Sequence, residues 1–304
     1  MLIKPLCKAL FFIVFLSALA FVEAPAKAKD SSLTPTTEAL IAEKIPQNER
    51  LQTLEGSKSP WSGQFQATYN GSSLDHPLSE SAPNPGKVVP APVVTASGTF
   101  SGRYRFDAVT TAGVGAGVIT ETPFQGPENT RGSDPYVDVA RSFSIGPIRN
   151  RLDLSLKYYS SHQYHDLNGY RAGISVFDDS FYELGAGFTL GLTLNAYFNT
   201  FDDKGTYRKS QQIAYQFYID PVLEYRFNKM FTVRAVAALT QTHTRDMKVA
   251  SEFHAPEPFQ MLGFGLSATE RVYLYLFAKF FPYGTQPVTA KNTVVGFNTI
   301  VNLL

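Results

Sequence analysis

The sequence predicts an all-β chain closed into a transmembrane, antiparallel, up-and-down β-barrel of twelve strands on our count, within a range of ten to fourteen. Three observations predict it. Hydrophobicity alternates with a period of two in one segment after another, which is a strand pattern and not a helix pattern. The connections between those segments alternate between long and short. The composition has few charges and many aromatics, behind a start laid out for export.

That start is "MLIKPLCKALFFIVFLSALAFVEAPAKAKD", with Lys4 and Lys8 ahead of an apolar run from Ala9 to Val22. It has the layout of a secretory signal peptide, assigned to residues 1–24 with cleavage anywhere from Ala20 to Ala28. The run is short for a helix that must cross a bilayer, which needs about 20 apolar residues. The single cysteine, Cys7, leaves with the signal, so the mature chain has no disulfide or thiol chemistry. Residues 25–58 read as a polar, flexible or partly helical extension, with "TTEALIAEKI" as its one helix-like piece; plugging a pore is a second role open to it. The barrel is assigned to residues 59–304.

The strands follow in order. Trp61, Phe65, Ala67 and Tyr69 share one face, and Val94, Ala96, Phe100, Tyr104 and Phe106 repeat the pattern after a long loop. Ala112, Val114, Ala116 and Val118 alternate with glycines. A strand from Tyr136 to Ile145 and another around Leu152, Leu154, Leu156 and Tyr158 flank the short turn "GPIRN". Residues 161–178 read as a loop holding a strand fragment, followed by strands through Tyr182–Phe188 and Leu190–Phe198. The longest alternation is "QIAYQFYIDPVLEYRFN", residues 212–228, which carries Ile213, Tyr215, Phe217, Ile219, Pro221, Leu223 and Tyr225 on one face. An ordinary soluble strand stops after about 5–6 residues. Pro221 forfeits a ladder hydrogen bond in its middle and predicts a bulge or bend. Strands from Phe231, Leu262, Val272 and Val295 complete the set.

Long loops fall near 71–92, 121–134, 161–178, 202–211, 244–259 and 282–292, and short ones near 107–109, 146–150, 189–191, 228–230 and 269–271. Short periplasmic turns and long extracellular loops are the pattern of outer-membrane barrels. In hydrocarbon every backbone donor and acceptor must be paired, so a spanning sheet has to close. From about residue 59 to 304 the chain resembles the outer-membrane β-barrel proteins of Gram-negative bacteria. The resemblance implies a location in the bacterial outer membrane and contact with its lipids and the barrel assembly machinery. Those proteins commonly end in an aromatic residue, whereas this chain ends at Leu304.

With the apolar face toward lipid, the other face lines the lumen. The candidate lining residues are Arg103, Arg105, Asp153, Lys157, Glu183, Asp220, Glu224, Arg226, Arg234 and Lys279, with Glu224 and Arg234 placed to pair across the "NKM" turn. A charge on the lipid side costs roughly 2–4 kcal/mol at the midplane. Arg141, which shares a face with Val139, Phe143 and Ile145, is expected to snorkel at the interface. These charges either fill the interior with ion pairs or line a narrow channel for small polar or ionic solutes. Twelve strands make a wider barrel than eight, whose interior side chains fill, so the channel is preferred over a non-conducting structural or surface-interaction barrel.

Other chemistry finds little support. With 27 Lys+Arg against 26 Asp+Glu there is no basic excess for nucleic acid. His76, His162, His165, His243 and His254 sit in or beside loops, and "HQYHD" lacks the further ligands a metal site needs. "GVGAG" at 113–117 lies within a strand pattern with no helix after it, so it is no phosphate loop. No catalytic residue, metal or cofactor is expected. An outer-membrane lipid hydrolase would need a Ser–His pair on the outer wall, and none is visible. A soluble exported β-sandwich is the structural rival.

Overall fold

The computed structural model describes residues 60–79, 82–84, 94–124, 129–160, 162–167, 169–202, 209, 212–253, 258–282 and 287–303. The signal peptide and extension expected over residues 1–58 lie outside the described residues.

Among the described residues thirteen strands run β1 (Trp61–Ser73), β2 (Thr95–Arg105), β3 (Thr110–Glu121), β4 (Asn129–Gly132), β5 (Tyr136–Ile145), β6 (Ile148–Tyr158), β7 (Tyr170–Gly185), β8 (Phe188–Phe201), β9 (Ile213–Arg226), β10 (Phe231–Thr244), β11 (Phe259–Ser267), β12 (Val272–Phe280) and β13 (Val294–Asn302). Each pairs antiparallel with its neighbours, and β13 returns to β1 from Gln64↔Asn302 to Ser73↔Val294. The ring has twelve places because β4 and β5 share one. β3 pairs with β5 over Thr110–Gly115 and with β4 over Val118–Glu121. Between the two, the Ser133 N–H donates to the Gly117 carbonyl at 2.8 Å, so the interrupted strand keeps its backbone paired. The result is a closed, all-β, twelve-strand antiparallel barrel. Among the described residues no helix is long and apolar enough to cross a membrane.

Closure divides the side chains by parity. Outward positions stay open, with Val114 at 59 %, Leu154 at 50 % and Leu276 at 57 % exposure, while inward Arg103, Asp153 and Tyr275 are at 5 %, 2 % and 1 %. Outward aromatics collect near both rims. Trp61–Tyr104 and Phe188–Tyr225, with ring centroids 4.8 and 4.5 Å apart, lie toward the short-turn end. Phe198, Tyr215, Phe217 and Phe253 cluster toward the long-loop end.

Four expectations are corrected. The second half of the stretch 161–178 is strand, since β7 begins at Tyr170, and the turn to β8 lies at Gly185–Gly187 and not at 189–191. Gly185, Ala186 and Gly187 adopt φ of +86°, +51° and +86°, a left-handed turn that two glycines make accessible. The loop expected over 121–134 contains β4. Pro221 makes no bulge: its pairing to Leu192 of β8 is regular, and toward β10 the ladder skips from Val236↔Val222 to Leu239↔Ile219 without a register shift. The missing N–H therefore costs two rungs on one side, and the intact β8 ladder holds the register.

Candidate functional site

The barrel interior is the candidate site. Cross-strand register turns one face of every strand inward, so a side chain's position follows from its parity. Arg103 and Arg105 of β2, Asp153 and Lys157 of β6, Glu183 of β7, Asp220, Glu224 and Arg226 of β9, Arg234 of β10 and Lys279 of β12 all occupy inward positions. Glu224 stands directly opposite Arg234.

The register brings several of them together with residues that the sequence reading missed. Arg103 Nη2 lies 3.3 Å from Asp138 Oδ2 of β5, although β3 runs between their strands. Gly113 is the β3 residue opposite both, and a Cβ there would strike Arg103 and Asp138. Its lack of a side chain lets the pair meet over the strand. Arg151 Nη2 lies 3.2 Å from Asp153 Oδ2 and stands opposite Asp179. Asp179 accepts a 2.5 Å hydrogen bond from the Thr193 hydroxyl, and Thr193 faces Asp220 on β9. A belt of mixed charge thus runs from β2 to β9, with the acids Asp179 and Asp220 on either side of Thr193, and Arg149 with Glu183, 2.6 Å apart, continues it at the short-turn rim. Asp138 and Arg151 were legible by alternation in "YVDVARS" and "RNRLDLSLK". Asp179 was hidden because its segment was read as loop.

The opposite arc differs. On β11–β13 the inward residues are Met261, Gly263, Gly265, Tyr273, Tyr275, Phe277, Gly296, Asn298 and Ile300, all buried. The rings of Tyr275, Tyr273 and Phe277 lie where a Cβ on Gly263, Gly265 and Gly296 would stand, so they rest flat along the wall. Val222, Val236, Met261 and Ile300 join them in one apolar cluster. Lys279 is the charge of this arc, its Nζ 4.6 Å from the Phe259 ring centroid.

At the long-loop mouth a single wide helical turn, His162–Leu167, folds between β6 and β7. Its Tyr164 packs 5.4 Å from Tyr159 and 5.9 Å from Tyr170. The Tyr159 hydroxyl donates to the inward Asn199 Oδ1 at 2.8 Å. Burial, followed by the nearby phenols and Asp134, pushes the Tyr159 and Tyr164 hydroxyls well above their ordinary pKa, so both remain neutral donors. His165 is engaged by carboxylates, with Nδ1 2.8 Å from Asp166 and Nε2 3.8 Å from Asp202.

The outer wall is not uniformly apolar. Arg141 faces outward opposite Leu152, and its charge reaches Asp107 in the β2–β3 turn, where the short-turn rim begins. Asn150 and Ser180 face each other on the same side, with the Ser180 hydroxyl donating to Asn150 Oδ1 at 2.7 Å and Asp178 Oδ2 at 3.4 Å.

No family model matches this sequence, and no curated protein matches it. Among solved structures the chain is similar to an outer membrane channel from Pseudomonas putida F1, with a TM-score of 0.55 over 81 % of this chain and 97 % of that one at 10 % identity. The likeness is one of barrel fold. The NanC porin aligns over 80 % of this chain and all of its own with a TM-score of 0.45 at 11 % identity. The KdgM porin in complex with disordered oligogalacturonate aligns over 80 % and 99 % with a TM-score of 0.44 at 8 % identity. At these identities the likeness concerns the barrel fold alone.

Proposed function

We propose that this chain is an outer-membrane channel for small polar or ionic solutes, with its short turns in the periplasm and its long loops outside. The passage follows the charged arc of β2–β9. One observation carries this reading: inside a closed barrel whose outer wall is mainly apolar, half-buried polar residues are concentrated on one arc. Ser155, Lys157, Asp179, Asn195, Asn199, Asp220 and Arg226 are only partly covered, whereas the inward face of β11–β13 is buried almost throughout. Mixed charges in a narrow passage act on ions by local field, and the presence of both carboxylates and guanidinium groups favours no single sign strongly. The mouth is narrowed by Tyr164 and its neighbours, which set the size of solute that enters. No catalytic step is assigned to any of these groups; each holds, screens or orients.

The deep burial of Arg103, Asp138, Asp153 and Arg234 favours a second reading, a non-conducting barrel whose charges only fill space. Planar bilayer recording separates the two. The channel reading expects stable conductance from the folded, detergent-purified chain, an increase on Tyr164→Ala, and a shift of ion preference toward cations on Arg226→Glu. Silence from protein that floats with liposomes and keeps its β-sheet spectrum overturns it and leaves the non-conducting barrel.

A further inference from the structure

Between the charged belt and the mouth, the interior of β7–β10 changes character. Three successive inward rows there carry no charged side chain. Asn195 pairs with Tyr218 in the first, Tyr197, Gln216 and Thr242 follow one another in the second, and Asn199 stands opposite Gly173 in the third. Asp179 and Asp220, on the next row toward the short turns, mark where charge begins. From the rise per residue and the spacing of strands, the patch runs about 13 Å along β8 and about 10 Å across to β10.

Its chemistry is uniform. Tyr197 and Tyr218 meet edge to face, with ring centroids 5.8 Å apart and planes at 82°, so two aromatic surfaces form a corner. Amides and hydroxyls hold that corner. Asn195 Nδ2 donates to the Tyr197 hydroxyl at 2.9 Å, the Tyr218 hydroxyl donates to Gln216 Oε1 at 2.6 Å, and Gln216 Nε2 donates to Thr242 Oγ1 at 2.8 Å. Asn195 Oδ1 has no hydrogen-bond partner among the described residues, so one acceptor of the network is left over. Asn195, Tyr197, Asn199, Gln216 and Tyr218 are all only partly covered, in contrast to the buried rings of β12. Amides and hydroxyls both donate and accept, which matches a solute whose own polar groups are hydroxyls. The electron-rich faces of the tyrosines suit the C–H surfaces of the same solute. An ion finds no opposite charge on these rows, and an apolar solute would desolvate the amides without replacing their hydrogen bonds.

We propose that this patch binds neutral saccharides of one or two rings, an inference that rests on the channel reading above and names a solute class for it. The test is isothermal titration calorimetry of the full chain folded in detergent, with glucose, maltose and lactose as probes and glucuronate as the charged counterpart. At least one neutral sugar is expected to bind saturably, one per chain and about tenfold or more tighter than glucuronate. Tyr218→Leu should weaken that binding by about tenfold, and Tyr218→Phe, which keeps the ring and loses the hydroxyl, by about threefold. Val114→Ala, on the outer wall of β3, should leave it unchanged. Tyr218→Phe remains informative if Tyr218→Leu does not fold. The inference is overturned if none of the three sugars binds, if glucuronate binds as tightly as the best of them, or if either folded Tyr218 variant binds as well as wild type. Calorimetry needs no passage of solute. Binding by a chain that is silent in bilayers therefore counts against conduction alone, and conduction without binding counts against this inference alone.

Discussion

The two arcs of the interior solve one packing problem by opposite means. From β2 to β9 the space is organised by charges that meet across strands, as in Arg103–Asp138 and Arg149–Glu183. From β11 to β13 it is organised by rings laid into glycine notches, as with Tyr275 on Gly263 and Tyr273 on Gly265. The first arrangement is directional: each group depends on a named partner, and losing one leaves a charge in low dielectric. The second is steric, tolerates loss of a hydroxyl, and fails when a notch is filled. Gly113 belongs to both, since its notch serves an ion pair.

The largest effect should come from breaking the directional arc. Arg103→Met removes the cation 3.3 Å from an Asp138 side chain that has no exposure, and about 3–5 kcal/mol of stability should be lost. Urea unfolding from lipid vesicles measures it, and the double variant Arg103→Met/Asp138→Leu should recover most of the loss. On the steric arc, Gly265→Val drives a side chain into Tyr273 and Thr232 and should cost about 1–3 kcal/mol in the same assay. A Gly265→Val loss larger than that of Arg103→Met would break the comparison.

A smaller effect is expected outside the wall, at Asp107. Its Oδ1 accepts the Val109 and Thr110 backbone N–H groups at 2.8 and 2.7 Å, closing the β2–β3 turn. Desolvation alone would raise its pKa, but those hydrogen bonds, the Thr110 hydroxyl and the Arg141 charge outweigh it and hold the carboxyl below its ordinary value. A depressed acid stabilises above its unfolded pKa of about 4 and loses that contribution as pH falls through the folded value. Stability should therefore fall on acidification below about pH 4, and Asp107→Asn should flatten that part of the profile while costing about 1 kcal/mol at neutral pH. Unfolding midpoints measured from pH 5 to pH 2 check the sign.

The barrel was legible because period-two alternation and the sorting of loop lengths are local signals. Side-chain parity is a local signal too, and it needs no knowledge of the register to divide each strand into two faces. Where turn and strand share one composition, legibility ended: "ELGAGFTLGL" is apolar and small on both sides of its turn, and only the positive φ angles at Gly185–Gly187 divide it. Arg103 and Asp138 stand 35 positions apart with a glycine strand between them, and no pairwise pattern in the sequence announces that contact. The folding of Tyr164 into the mouth is likewise a tertiary event, set by Tyr159 and Tyr170 on the two flanking strand ends.

In the proposed channel, solutes pass along the charged arc and not along the aromatic one. Single cysteines at Ser155 on β6 and Asn298 on β13, in a mature chain expected to have no other thiol, test it most directly. During bilayer recording a positively charged methanethiosulfonate is added and the rate of current block is followed. Rapid block of Ser155→Cys is expected, with slow or absent block of Asn298→Cys, whose native residue is only 5 % exposed behind the ring-lined wall. Faster block at position 298 than at 155, or equal rates, would contradict it.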